Sequence, residues 1–152
     1  MKVNLLFLSV LIPVFTVSCA VSNNGQTVKQ GIRGRVTLEE GNRMPGPGQS
    51  ASVPKGVKRD ILIYAVTTAA QAEGQRPLFT RISTKLAARV KSDSTGYFQC
   101  SLKAGRYSVL TAEEEGKLFS NLSNEKDELS PVEVKPDSVS TCNIVVNYKA
   151  VY

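Results

Sequence analysis

From Gly31 onward, apolar and polar side chains alternate with a period of two. In "GIRGRVTLEE", Ile32, Gly34, Val36 and Leu38 share one face, and Arg33, Arg35, Thr37 and Glu39 share the other. That alternation predicts a half-buried strand. The following "GNRMPGPGQSASVPKG" is too rich in Gly, Pro and Ser to sustain a helix or a sheet ladder, and reads as a loop. "RDILIYAVTT" is apolar on both faces, with Ile61, Ile63 and Ala65 opposite Leu62, Tyr64 and Val66. Such a strand is covered on both sides. The polar "AAQAEGQRP" then leads through "LFTRIST" to "KLAARVK", where Leu86, Ala88 and Val90 alternate with charge. A helix there would span only two turns and lacks a C-cap Gly, so a strand is predicted.

The stretch "KSDSTGYFQCSLKAGRYSVL" is the most punctuated part of the chain. Asp93 and Gly96 predict a tight turn, because an Asp side chain accepts from backbone N–H groups and Gly tolerates positive φ. Phe98, Cys100 and Leu102 then fall on one strand face. A second turn at Gly105 leads into a strand with Tyr107, Val109 and Thr111 in phase. "EEEGKLFSNL" predicts a hairpin through Gly116, and "PVEVK" and "SVSTCNIVVNYKAVY" close the sheet with Cys142, Ile144, Val146 and Tyr148 in phase. Eight or so short strands without an amphipathic helix indicate an antiparallel β-sandwich.

These residues resemble the carboxypeptidase regulatory-like domain, a transthyretin-like sandwich. The resemblance is carried by "GRV", the Pro-containing small-residue loop, the Asp-x-x-Gly-x-Phe turn and strand, the Ala-Gly-x-Tyr strand, and the alternating aliphatic last strand. Asp93, Gly96, Phe98, Gly105 and Tyr107 match position by position. The resemblance covers most of the segment from Gly31 to Tyr152. It implies an all-β fold, an antiparallel Greek-key β-sandwich of transthyretin (prealbumin) type with about seven to eight strands. It also implies an accessory module of exported proteins that brings no catalytic residues. One departure is the long segment from Ala69 to Thr84, whose path the family pattern does not give.

The N-terminus adds an address. Lys2 is followed by an apolar run, Leu5 to Val17, that is short for a membrane span and suited to an export signal. Its end, Val17-Ser18-Cys19, resembles the lipobox of bacterial lipoproteins, with Thr16 where that motif usually carries a large aliphatic residue. Cleavage between Ser18 and Cys19 and lipidation of Cys19 are the expectation this resemblance implies. Ala20 in place of Asp points to the outer membrane, facing the periplasm, and the alternative is a soluble secreted or periplasmic protein. The organisation is thus a signal peptide at 1–18, a polar flexible tether at 19–30, and one sandwich domain at 31–152.

Charge and composition narrow the chemistry. The chain has 152 residues, carries +6, and is 41% hydrophobic with no Trp, so its core is aliphatic with a few Tyr and Phe. Basic residues gather between Lys55 and Lys91, yet they are spaced along strands as on a solvated face, and no nucleic-acid partner is expected. His is absent, which removes the commonest general base and metal ligand. Ser52 to Lys55 fits Ser-x-x-Lys, but Pro54 forbids the helix that motif needs. Glu113, Glu114 and Glu115 read as a solvated hairpin tip rather than a cation site. Asn121 opens a glycosylation sequon that matters only in a eukaryotic secretory setting. Cys100 and Cys142 both face the core, where they could bridge or remain buried thiols; the bridge is the expectation in an oxidising envelope. No cofactor, metal or catalytic residue is expected. The function read from sequence is a non-catalytic structural or protein-interaction module held at a membrane by lipid, and the alternative is a glycan- or peptide-binding lipoprotein.

Overall fold

The computed structural model describes residues 27–42, 44 and 53–151. Ser18, Cys19, the whole leader and Ser52 lie outside the described residues. Twelve strands follow in chain order: β1 (Gly31–Asn42), β2 (Lys55–Gly56), β3 (Asp60–Ala65), β4 (Ala72–Gln75), β5 (Leu78–Ile82), β6 (Leu86–Lys91), β7 (Tyr97–Ser101), β8 (Gly105–Ala112), β9 (Leu118–Phe119), β10 (Pro131–Val134), β11 (Val139–Thr141) and β12 (Ile144–Val151). Seven of them, β1, β3, β5, β6, β7, β8 and β12, are five residues or longer, and the other five are segments of two to four residues, one of which, β9, lies between β5 and β8. No α-helix occurs among the described residues, and none of their helices is long and apolar enough to cross a membrane.

The first sheet is built around β1. On one side β1 pairs antiparallel with β7, Ile32 opposite Cys100 and Gly34 opposite Phe98, and then with β2. On the other side it pairs in parallel with β11, Arg33 opposite Thr141, and then with β12, Val36 opposite Ile144. The parallel pairings depart from the fully antiparallel expectation. Parallel neighbours need a long crossover, and here the whole second sheet lies between β1 and β11 in the chain. That second sheet runs β4-β5-β9-β8-β3-β6, with β10 also paired to β8.

The main core lies between the sheets. The period-two face of β1 enters it through Ile32 and Val36, to meet Ile61, Ile63, Phe98, Val109, Phe119 and Val146. Burying each of these side chains stabilises the fold by about 2 kcal/mol before entropy is counted. A smaller cluster joins Phe79, Leu110, Leu118 and Leu129 with the partly buried Leu62 and Tyr64. Because Leu62 and Tyr64 alternate with Ile61 and Ile63 along β3, this cluster covers the other face of the second sheet. The two-faced apolar pattern of "ILIYAV" therefore reports two cores, one on each side of β3.

The segment from Ala69 to Thr84 makes that cover. A 3-10 turn at Ala69–Gln71 leads into the β4–β5 hairpin, which turns at Arg76 and a cis Pro77 and pairs onward with β9. Ala69, Ala72, Phe79 and Ile82 carry its apolar contacts.

Candidate functional site

The turns predicted from sequence are built as their residues require. Asp93 Oδ1 accepts from the Thr95 amide at 2.8 Å, the Thr95 hydroxyl at 2.7 Å and the Tyr97 amide at 3.0 Å. The Thr95 hydroxyl, followed by those two amides, holds the Asp93 carboxyl below its ordinary value. Gly96 closes the turn with φ +83°, and a Cβ there would stand 2.1 Å from the Val36 carbonyl oxygen, so both conformation and space demand glycine. At the next turn the Tyr107 hydroxyl donates to the Lys103 carbonyl at 2.9 Å, with its ring beside Gly105. That bond ties β8 back to the turn that precedes it, as in a tyrosine corner. Asp93, Gly96 and Gly105 are structural: they fix where loops leave the sandwich.

The expected Cys100–Cys142 bridge is not formed. Cys100 stands opposite Ile32 on β7, while the Cys142 amide donates to the Arg33 carbonyl from the far side of β1. With β1 between them, the two cysteines are two strand spacings apart, about 10 Å, beyond the reach of a disulfide. The shared core-facing phase was real, but phase does not report which strand lies between.

Cys142 instead lines a cleft of about 190 Å³ with Leu122, Pro131, Val132 and Ile144, where the chain passes from β11 to β12 beside β10. Several polar groups around it are already engaged. Asn121 Nδ2 donates to the Val145 carbonyl and to Asn147 Oδ1, Asn143 Oδ1 accepts from the Arg35 amide, and the Ser130 and Ser120 hydroxyls pair at 2.7 Å. Small-molecule sites usually enclose about 300–1,000 Å³. This cleft is smaller, with room for about one large side chain. No protein-family model, curated protein or solved structure matches the chain.

Burial pushes the Cys142 thiol up from 9.0 to about 11. Near neutral pH it is a protonated, unreactive packing group. The folded protein therefore keeps a proton that the unfolded chain releases at lower pH. Stability from this source is complete below pH 9 and is lost as pH rises through about 11. The expected loss is about 3 kcal/mol between neutrality and the upper end of that range. Urea unfolding across alkaline pH should show this slope in the wild type and a shallower one in Cys142→Ala. Parallel slopes in the two proteins would remove the assignment.

The acidic tip differs from its sequence reading. Glu114 and Glu115 are exposed, but the Glu113 side chain is 1% exposed. It accepts from Arg59 Nε at 3.1 and 3.3 Å, from the Thr111 hydroxyl at 2.9 Å and from the Tyr148 hydroxyl at 3.3 Å. Desolvation first, and then the Glu113 charge, raise the Tyr148 phenol above its ordinary value. Glu113 continues the inward phase of Tyr107, Val109 and Thr111 along β8, so a signal for its burial was present in the sequence.

A second carboxylate missed by sequence reading is Glu128. It is buried and held by Arg106, whose Nη1 donates at 2.9 Å and whose Nη2 also donates, with Asn124 Nδ2 adding a bond at 2.6 Å. These donors, Arg106 foremost, keep its carboxyl below the ordinary value. In both clusters the carboxylate's partners are arginine, amide or hydroxyl donors fixing one element to another. Among the described residues, no group of three or more His, Cys, Asp or Glu is placed to hold a metal ion. Part of the basic stretch is neutralised in place, by Arg59–Glu113, Arg76–Asp127, Arg81–Glu73, and Arg89 and Lys91 on Asp60.

Proposed function

We propose that the chain is an exported lipoprotein whose carboxypeptidase regulatory-like sandwich is a non-catalytic protein-interaction module, anchored by acyl chains on Cys19 and facing the periplasm from the outer membrane. Supporting this reading is the way the tether joins the domain. Gln30 lies eleven residues after Cys19. Its Nε2 donates to the Leu102 carbonyl at 2.8 Å, its Oε1 accepts from the Asp137 amide at 2.9 Å, and its carbonyl accepts from the Ser101 hydroxyl. The tether is thereby fastened to two turns at one end of the sandwich, which leaves the cleft and the long loops to meet a partner. Several acyl chains, at about 0.8 kcal/mol per methylene, hold such a protein at a membrane essentially permanently.

The observation that carries the interaction reading is the cleft beside Leu122, a side chain 60% exposed. An exposed apolar residue next to a one-side-chain cleft suits a partner protein that inserts one apolar anchor. The alternative of glycan binding lacks the Trp platform such sites favour, whereas peptide binding uses the same cleft.

Two measurements test the reading. Intact mass of the membrane-extracted protein should equal the chain from Cys19 plus acyl chains, and Cys19→Ala should remain unprocessed. A mature N-terminus elsewhere would end the anchor assignment. A photo-crosslinker at Leu122 should trap envelope protein in cells more than one at Leu86, which is 44% exposed on the edge strand β6. Equal trapping would end the cleft's role.

A further inference from the structure

The lysines are distributed unevenly between the two ends of the sandwich. At the end where β1 begins, the Gln30 contacts gather Lys29, the β7–β8 turn with Lys103, and the β10–β11 turn with Lys135. The same end receives the close of β3, where the Val66 amide donates to the Arg106 carbonyl and the Ala65 amide to the Lys85 carbonyl. Lys29, Lys85, Lys103 and Lys135 are all exposed, and none forms an ion pair. Arg33, two residues into β1 on its exposed face, has none either.

Among the carboxylates at this end, Glu128 is held by Arg106 and Asp127 by Arg76, which leaves Glu125, with Lys126 next to it, and Glu133 and Asp137. At the opposite end most cations have a carboxylate: Arg89 and Lys91 share Asp60, Arg59 meets Glu113, Lys117 meets Glu115 and Lys149 meets Glu114, while Lys55 and Lys58 form no ion pair among the described residues.

We infer that the tether end is a docking surface for the phosphate headgroups of an anionic lipid bilayer, and that it sets the sandwich upright on the membrane. The inference rests on Cys19 being the anchored residue. From Cys19 to Thr27 the chain advances eight residues, which reach at most about 28 Å. An anchor that close brings the β1 end to the headgroups but leaves the domain free to tumble. Unpaired lysines supply the missing restraint, since each lysine near an anionic surface strengthens residence by about fivefold. The far end stands an eight-residue strand away, about 27 Å, which is several Debye lengths at physiological salt, so its charges do not feel the surface. The cleft and its partner are then oriented by charge and not by the tether alone.

The test uses the mature protein, reconstituted into vesicles of phosphatidylcholine alone or of phosphatidylcholine and phosphatidylglycerol in equal parts. Lysine acetylation is read by mass spectrometry. Lys29, Lys103 and Lys135 should be acetylated several-fold more slowly on the anionic vesicles, and high salt should restore their rates. Lys58 and Lys91 should react alike on both. In Lys103→Glu/Lys135→Glu, Lys29 remains as reporter and should lose its protection. Equal rates on the two lipids, or protection shared by Lys58, would overturn the inference. Intact mass of the same sample reads the anchor separately. An unacylated protein that still floats with anionic vesicles in a salt-sensitive way keeps the surface and removes the anchor; an acylated one without lysine protection does the reverse.

Discussion

Gly34→Ala is expected to destabilise the sandwich by about 3 kcal/mol or more, a large share of the ~5–15 kcal/mol that holds a domain together. An alanine Cβ at this position would lie 1.8 Å from the Cys142 carbonyl oxygen and 2.5 Å from its carbon. Both are backbone atoms of the neighbouring chain, so no side chain can swing aside. The strand would have to separate from the β11–β12 junction, where the Cys142 amide donates to the Arg33 carbonyl at 2.8 Å. Overpacking usually costs about 1–3 kcal/mol because neighbours repack, and here the neighbour is a ladder that can only break. Arg33→Ala, one residue earlier on the exposed face, should change stability by no more than about 0.5 kcal/mol. Urea midpoints at unchanged slope are the measurement. A Gly34→Ala midpoint equal to that of Arg33→Ala would show that the close approach is not a constraint. The Gly-x-Val signature at the start of the chain's first strand thus has a physical origin: Gly34 admits a neighbouring backbone, and Val36 fills the core.

Where strand phase decided burial, sequence was a good guide. Ile32, Val36, Phe98, Cys100, Ile144 and Val146 all point inward as their alternation predicts. The Asp93–Gly96 turn was legible because its chemistry is local, carried by one carboxylate and one glycine within four residues. The second core was not legible. Phe79, beside Leu78, and Leu129, alone, sit in otherwise polar stretches, "QRPLFTR" and "KDELS", and only their convergence over Leu62 and Leu110 makes a cluster. The parallel place of β12 beside β1 was equally hidden, since alternation fixes a face but not a neighbour. The same limit misdirected the cysteines, which share a phase on strands that β1 separates. The lysine-rich tether end joins residues from four distant parts of the chain, and no window along the sequence contains it.

Glu113→Ala is expected to lower stability by about 3 kcal/mol, near 10 °C in Tm for a domain of this size. The carboxylate is enclosed, whereas the Arg59 side chain is 28% exposed, so the effect should fall at the low end of what breaking a buried pair costs. Removing it strands three donors at once: the Arg59 guanidinium, the Thr111 hydroxyl and the Tyr148 hydroxyl. Those donors come from the β2–β3 loop, from β8 and from β12, so Glu113 fastens parts of both sheets at the end away from the tether. Replacing both members of the ion pair with apolar residues, Glu113→Leu with Arg59→Met, should recover much of the loss, because no charge is then left without a partner. A double variant as unstable as the single one would place the effect in lost packing. Tyr148 supplies a readout independent of stability. With the Glu113 charge gone, its phenol should titrate at lower pH than in the wild type, although desolvation still holds it above an exposed tyrosine. Ultraviolet titration of the phenolate reads that change directly. An unchanged Tyr148 titration would mean that Glu113 carries no negative charge beside it, and the ion pair with Arg59 would then be the wrong description of this end of the fold.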